Sequence, residues 1–360
     1  MTPCVWCRCG SPAIATMADT LRSRLADDGD TVRFVLTGDG SIPHPQGKRE
    51  ARAHIDRTRP VALIWMGGTV DLGTLQAAAD AQLPVIMVNM NGASIAPLTG
   101  FWTRGRTRAV LGRTQLVLAV DKAAERAFVA AGVDRKKVKT DIRLEEPVSV
   151  LPYTETDRRS IADALNNRPV WCATRVTMNM VAGLIAAHRH ATRRSHRLLL
   201  VAEAADPGAG AALARAFGDQ RLLTEQSSVA QIPQEAAQVH IADSDGDLGL
   251  WLRLASVTFA GGTFDRSDAQ DPFAIATLGS GLIHGPMTEP FAARYARLDA
   301  AQATRKIDQW TELGPAVEDL LAADRVARLV AAGWDVTSQG AEAADLIVGL
   351  IRDAVDGVAA

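Results

Sequence analysis

The chain has 360 residues, 47% of them hydrophobic and 22% charged, with a formal net charge of -2; a chain of this size buries a sizeable core and exceeds the usual single domain. The near-neutral balance supplies no whole-protein field for gripping nucleic acid, so no nucleic-acid partner is expected. No apolar run reaches the roughly eighteen residues of a membrane span, and the amino-terminal residues lack the basic, apolar, small-residue order of a signal peptide, so the sequence reads as soluble and cytoplasmic.

In chain order, the first element is the apolar run "CVWCRC", which holds three of the four cysteines. Side chains alternate along a strand, so Cys7 and Cys9 share one face and Cys4 takes the other; they cannot converge on one metal, and no metal site is expected. A helical pattern over 15–25 follows, then "TVRFVL" and a basic stretch with Lys48, Arg49, Arg52 and Arg57. That stretch is either a solvated helix or a basic helical face toward anionic lipid. The runs "PVALIWM", "LPVIMVN" and "TQLVLAV" alternate with helical patterns over 71–81 and 122–131.

Between 145 and 169 the pattern lapses into "EEPVSVLPYTETDRRS", a short helix and "NNRP". It restarts with "RPVWCA", "HRLLLVA", "VHIA", "SVTFAGG" and "GLIHG", interleaved with helical patterns over 179–192 and 209–217. His188 and His190 lie two apart on the first of these helices, a spacing that does not suit joint metal binding. Continuous apolar strands joined by helices mean parallel sheets covered on both faces, so the fold class is α/β with two doubly wound domains. The expected division is 1–165 and 166–340, with one amphipathic helix at 341–360 that packs back on the first domain.

In open α/β sheets ligands bind beyond the carboxyl ends of the strands, so residues just after each apolar run carry the functional signal. In the second half these are "DSDGDLGLW" and "GGTFDRSDAQDP". Asp245 or Ser244 is placed to cap a helix that starts near Gly246, and Asp271 to cap one with Pro272 at its first position. Two helix N-termini in one crevice make an anion site, which Gly261 and Gly262 let a ligand approach closely. Alternatively the glycines only permit a tight turn.

These residues also carry a family resemblance. "VHIADSDGDLGLWLRLASVTFAGGTF" followed by "DPFAIATLGSGLIHGP" resembles the donor-binding half of the 3-deoxy-D-manno-octulosonic acid (Kdo) transferases, in which a "DTxGELGLWYRLAPVAFVGGS" type run leads to "GGHNPLEPAALGxPVLxGP". "VWCRCGSPA", "LPVIMVN", "LVLAVDKAAERAFVAAGV" and "RPVWCAT" extend the likeness along most of the chain. It implies a GT-B fold, two Rossmann-like domains facing across a cleft. It also implies transfer of Kdo from CMP-Kdo to a lipid A precursor in lipopolysaccharide biosynthesis, without metal or cofactor. By the same likeness the donor would be held by Ser244, Asp245, Gly246, Asp247, Gly261, Gly262, Thr263, Gln270 and Asp271, with Arg143, at a family lysine position, facing its phosphate.

The chain departs from the family at its acids. The general-base glutamate position falls on Ile14, the two glutamates of "ETELWPN" on Gly67 and Thr69, the first glutamate of "STHxGEE" on Met180, and the ribose-holding glutamate on Ala274. Asp71, Asp265, Asp268 and Asp271 lie in reach of the strand ends, either as helix caps and solvated loop charges or as substitute carboxylates, with Asp71 the candidate for a substitute base. The family's membrane-anchoring segment has no counterpart ahead of "MTPCVW", so peripheral contact with the inner face of the inner membrane would rest on surface patches. Two functions follow: a divergent Kdo-type transferase, or a catalytically silent relative that binds a nucleotide, a lipid A precursor or a partner enzyme.

Overall fold

The computed structural model describes residues 2–98, 104–146, 148, 151–265 and 269–359. The chain forms two compact units, Met1–Pro147 with Ser338–Ala360, and Val148–Thr337. The first holds a parallel sheet of β1 (Cys4–Cys9), β2 (Arg33–Thr37), β3 (Ala62–Met66), β4 (Val85–Met90), β5 (Leu116–Ala119) and β6 (Val138–Lys139), in the order β2-β1-β3-β4-β5-β6. Alternation along β1 sorts its side chains: Val5, Cys7 and Cys9 pack on one face with Ile64, Met66, Ile86 and Val88, and Trp6 packs on the other with Trp65 and Met87. All four cysteines are free and buried.

The second unit is also wholly parallel. Its strands are β7 (Val170–Val176), β8 (Leu199–Ala204), β9 (Thr224–Gln226), β10 (Val239–Ala242), β11 (Val257–Phe259), β12 (Gly281–His284) and β13 (Thr304–Lys306), in the order β13-β12-β11-β7-β8-β10-β9. From β7 the chain runs to one side through β8, the edge strand β9 and back to β10, then crosses to the other side through β11, β12 and β13, so the order reverses between β7 and β11, where a doubly wound sheet opens for ligands. Every apolar run read from the sequence contains a strand. The three strands without such a run, β6, β9 and β13, lie at sheet edges and are only two or three residues long, because an edge has less core to cover.

Two expectations need correction. The division falls at Pro147/Val148 instead of 165/166, because the helix Glu155–Leu165 buries Ile161 and Leu165 among Leu250, Trp251 and Leu252 of the second unit. The last helix is Ala323–Ala359, longer than expected, since no proline interrupts the residues before 341. Its later part places Ala343, Ala344, Ile347, Val348 and Ile351 against Cys7, Cys9 and Ile64 in the first unit. Exposed pairs with that unit's surface, Arg24–Asp345 and Arg352 with Asp28 and Asp30, lie outside this seam.

No helix among the described residues is long and apolar enough to cross a membrane.

Candidate functional site

In the second unit, β11 ends at Phe259 and the chain turns through Ala260, Gly261, Gly262 and Thr263, all buried. The Gly261 amide donates to Thr174 Oγ1 at 3.1 Å, and a Cβ on Gly261 would stand 1.7 Å from the Thr174 carbonyl oxygen. Glycine is therefore needed here for the backbone of β11 to meet that of β7. Gly262 has φ of +76°, a left-handed conformation that glycine adopts without strain.

Thr263 is used as a clip. Its hydroxyl donates to the Ala260 carbonyl at 2.7 Å and accepts from the Gly285 amide at 2.8 Å, tying the turn to the end of β12. That hydroxyl is committed to the backbone, which removes it from the set expected to touch a donor. Thr263→Val is expected to cost about 1–3 kcal/mol, the desolvation of groups left without partners, read from the shift of a urea unfolding curve.

The loop returns at Ala269. The Gln270 amide donates to Gly261 O at 3.0 Å, and Gln270 O accepts from the Tyr295 hydroxyl at 2.7 Å, so Gln270 is held beside the glycine turn by its backbone. Asp271 caps the short helix Pro272–Ala276 as expected, accepting from the Phe273 amide at 3.0 Å. Its other oxygen meets Arg294 Nη1 at 2.5 Å, with both side chains mostly buried. The carboxylate is thereby neutralised and committed to the fold. Ala274 is buried in that helix. Asp265 comes within 3.4 Å of the Thr177 hydroxyl across the β7–β11 switch; Asp268 lies outside the described residues.

After β10 the helix Asp247–Leu254 begins, with Gly246 as its cap residue and no side-chain cap. Neither Ser244 nor Asp245 caps it, contrary to expectation. Instead the Asp247 carboxylate reaches back to accept from the Ser244 amide at 2.9 Å and from the Ser227 hydroxyl. Burial pushes the Asp247 carboxyl up, against those two hydrogen bonds. The Pro152 carbonyl oxygen stands 2.2 Å from where a Gly249 side chain would begin, so the linker lies on this helix's first turn.

A cavity of about 270 Å3 is walled by Tyr153, Asp157, Gln231, Asp245 and Asp247. Three carboxylates and no cation on that wall suit sugar hydroxyls better than phosphate. Asp243, which the sequence did not single out, collects Ser228 N at 3.0 Å, Ser228 Oγ at 2.9 Å and Gln226 Nε2 at 3.0 Å. Burial opposes its ionisation, yet these bonds hold it below the usual carboxylate range.

The sequence reading also missed Glu203, near the carboxyl end of β8. The pairing of β7 with β8 shifts register between Ala173 and Val176, and Arg175 sits in the bulge with φ of +49°. This turns the Arg175 amide onto Glu203 Oε2 at 2.5 Å. Burial pushes the Glu203 carboxyl up to about 7, opposed by that amide and by the Arg175 guanidinium. A carboxyl poised near neutrality beside the switch point is equipped to exchange a proton. Its only sequence signal was one acid inside "LLLVAEA".

In the first unit, β1 and β3 end at glycines that touch: a Cβ on Gly10 would stand 2.6 Å from Gly68 N. Ile14 lies over Gly67, its Cδ1 2.9 Å from where a Gly67 side chain would begin, and Thr69 is exposed. Asp71, the candidate base, caps the helix Leu72–Asp80 by accepting from Thr74 N at 2.7 Å and Thr74 Oγ1 at 2.6 Å. Capping is thus its work in the fold. Arg143 donates to the Val120 carbonyl at 2.5 Å and belongs to this unit. Met180, by contrast, is buried in the core of the second unit.

Two further groups gather at the carboxyl ends of β1 and β2. The buried Arg8 lies over the Trp65 ring at 4.5 Å, and His44 Nδ1 is 3.3 Å from the Thr37 hydroxyl. Burial, then the charge of Arg8, lowers the His44 pKa. Among the described residues no group of three or more His, Cys, Asp or Glu side chains is arranged to hold a metal ion.

Two wholly parallel, doubly wound units with glycine turns at the carboxyl ends of their strands define a GT-B type protein. The solved UDP-GlcNAc 2-epimerase of Neisseria meningitidis bound to UDP-GlcNAc shares this fold, with 11% identity and a TM-score of 0.50, over 97% of this chain and 100% of that one. By sequence, the chain is similar to the Kdo transferases. It is 21% identical over 281 residues to the 3-deoxy-D-manno-octulosonic acid transferase of Haemophilus influenzae. The match takes in 76% of this chain, which spans 63% of the length of that relative. The C-terminal CMP-Kdo binding domain of WaaA from Acinetobacter baumannii aligns with 51% of this chain at 19% identity and a TM-score of 0.47. No protein-family model matches the chain.

Proposed function

We propose that this chain binds a CMP-activated sugar acid of the Kdo class in its second unit and does not carry out the family's transfer at an ordinary rate. The observation that carries the reading is Ile14: an aliphatic side chain stands at the family's general-base position and covers Gly67. Asp71 does not replace it, because its carboxylate is committed to Thr74. Loss of a general base costs about 10²- to 10⁴-fold in rate, and loss of cooperating groups leaves little beyond binding. Support for the donor comes from the family likeness of the β10–β12 region and from the hydroxyl-suited acidic cavity beside Asp245 and Asp247. The ligand assigned to the first unit is a lipid A precursor, which makes the chain an adjuster of lipopolysaccharide assembly.

A second reading is favoured by one specific observation, the Glu203 carboxyl near neutral pKa. In that reading the chain is a transferase with a relocated acid. Calorimetry with CMP, run beside transfer of radiolabelled Kdo from CMP-Kdo to a lipid A precursor, separates the two. The proposal expects CMP binding with transfer at least about 10²-fold below an active family member. Transfer at the family rate that collapses in Glu203→Gln would establish the second reading, and absence of CMP binding would dismiss both.

A further inference from the structure

At the amino-terminal ends of β1, β2 and β3 in the first unit, the opposite end of that sheet from Gly10 and Gly67, a cavity of about 980 Å3 is lined by Pro3, Arg33, Arg57, Arg59, Val61 and Val355. Its three guanidinium groups come from different places: Arg33 opens β2, Arg57 lies in the last turn of the helix Gly47–Thr58, and Arg59 is that helix's cap residue. Among the described residues, none of the three forms an ion pair; Arg57 Nη2 lies 3.3 Å from His54 Nδ1. The acid on the same wall, Asp56, is taken up by Arg52 at 3.0 Å. Lys48 is likewise taken by Asp80 at 2.7 Å. What remains is a convergence of unneutralised arginines on one hollow.

The carbonyls that end the helix attract cations, which accounts for some positive charge at Arg57 and Arg59. It does not account for Arg33 on a separate strand, nor for the backbone of Arg59. That residue holds φ of +45° and ψ of +59°, the left-handed helix end where glycine is the favoured residue. An arginine kept in a conformation that suits glycine points to a use for its side chain.

We propose that this cavity is an anion site for a phosphate group, carried either by a small soluble phosphomonoester or by a phospholipid headgroup. Guanidinium forks match phosphate oxygens in pairs, the hollow has the volume of a small-ligand site, and Pro3, Val61 and Val355 offer apolar surface to the ligand's uncharged part. The site is separate from the donor region of the second unit and does not rest on the proposed function.

The test uses the full chain, titrated with glycerol 3-phosphate by calorimetry and, separately, sedimented with phosphatidylcholine vesicles with and without phosphatidic acid. Arg33→Ser and Arg59→Gly are each expected to weaken binding at least about tenfold. Arg59→Gly is expected to keep or raise the thermal midpoint, because glycine fits that backbone, so lost binding cannot be ascribed to lost folding. Binding in the first arm identifies a soluble ligand; binding only to phosphatidic acid vesicles identifies a headgroup. Absence of binding in both arms, or binding undiminished in both variants, overturns the proposal. A CMP signal that survives both substitutions belongs to the second unit.

Discussion

Acidification from about pH 7 to about pH 4 is expected to destabilise the second unit by about 3 kcal/mol, the net of three buried groups that act in opposite directions. His188 accepts from Trp171 Nε1 at 3.2 Å through Nδ1 and has no partner for Nε2 among the described residues. His240 is fully buried against Trp251, and neither ring nitrogen has such a partner. Burial lowers both from 6.5 to about 4, with the charge of Arg168 adding to the effect at His188.

The sign follows from which state holds the proton. Above 6.5 both histidines are neutral in either state and the stability is fully present; as pH falls toward about 4 the unfolded chain takes protons that the folded one refuses. Each histidine thereby removes about 3 kcal/mol. Glu203 runs the other way: raised from 4.5 to about 7, it binds its proton first in the folded state and returns about as much over the same interval. Glu203→Gln should therefore be more stable than the parent at about pH 8 by about 3 kcal/mol and should lose about twice as much on acidification. Urea unfolding followed by tryptophan fluorescence at several pH values reads both. A parent curve that is flat down to about pH 4, or a variant less sensitive to acid than the parent, would refute the assignment.

Gly261→Ala is expected to cost more than about 4 kcal/mol, enough to abolish cooperative folding of the second unit. The added methyl would stand 1.7 Å from Thr174 O and 2.8 Å from Thr174 C, and both are backbone atoms of a central strand that cannot turn aside. Relief requires β7 and β11 to separate where the Gly261 amide meets Thr174 Oγ1. Gly262→Ala is expected to cost at least about 1–2 kcal/mol, the strain of a left-handed residue. The pair distinguishes two uses of a double glycine in this fold. If Gly261→Ala unfolds at nearly the parent's urea midpoint and fails only in CMP binding, Gly261 serves ligand approach and the close-packing account is wrong.

Local signals were legible in the amino-acid order. Apolar runs marked the long strands, and "QDP" marked Asp271 as a cap with proline after it, because periodicity and capping involve groups only a few residues apart. The absence of the family's acids at Ile14, Gly67, Thr69, Met180 and Ala274 was likewise readable from order alone. What those positions have become was not.

Asp271 looked available until the fold brought Arg294 to it across 23 residues, and Glu203 looked incidental until the bulge at Arg175 and the burial around it raised its pKa. Arg33 and Arg59 share a wall only because the start of β2 and the end of the helix before β3 lie side by side. Thus the sequence by itself determined the alternation of elements and which positions carry no acid where the similar family has one, since both are read along the chain. Only the tertiary structure decided which charges are neutralised, which are buried and which converge, because desolvation and Coulomb energy depend on distance in space, not on separation in sequence.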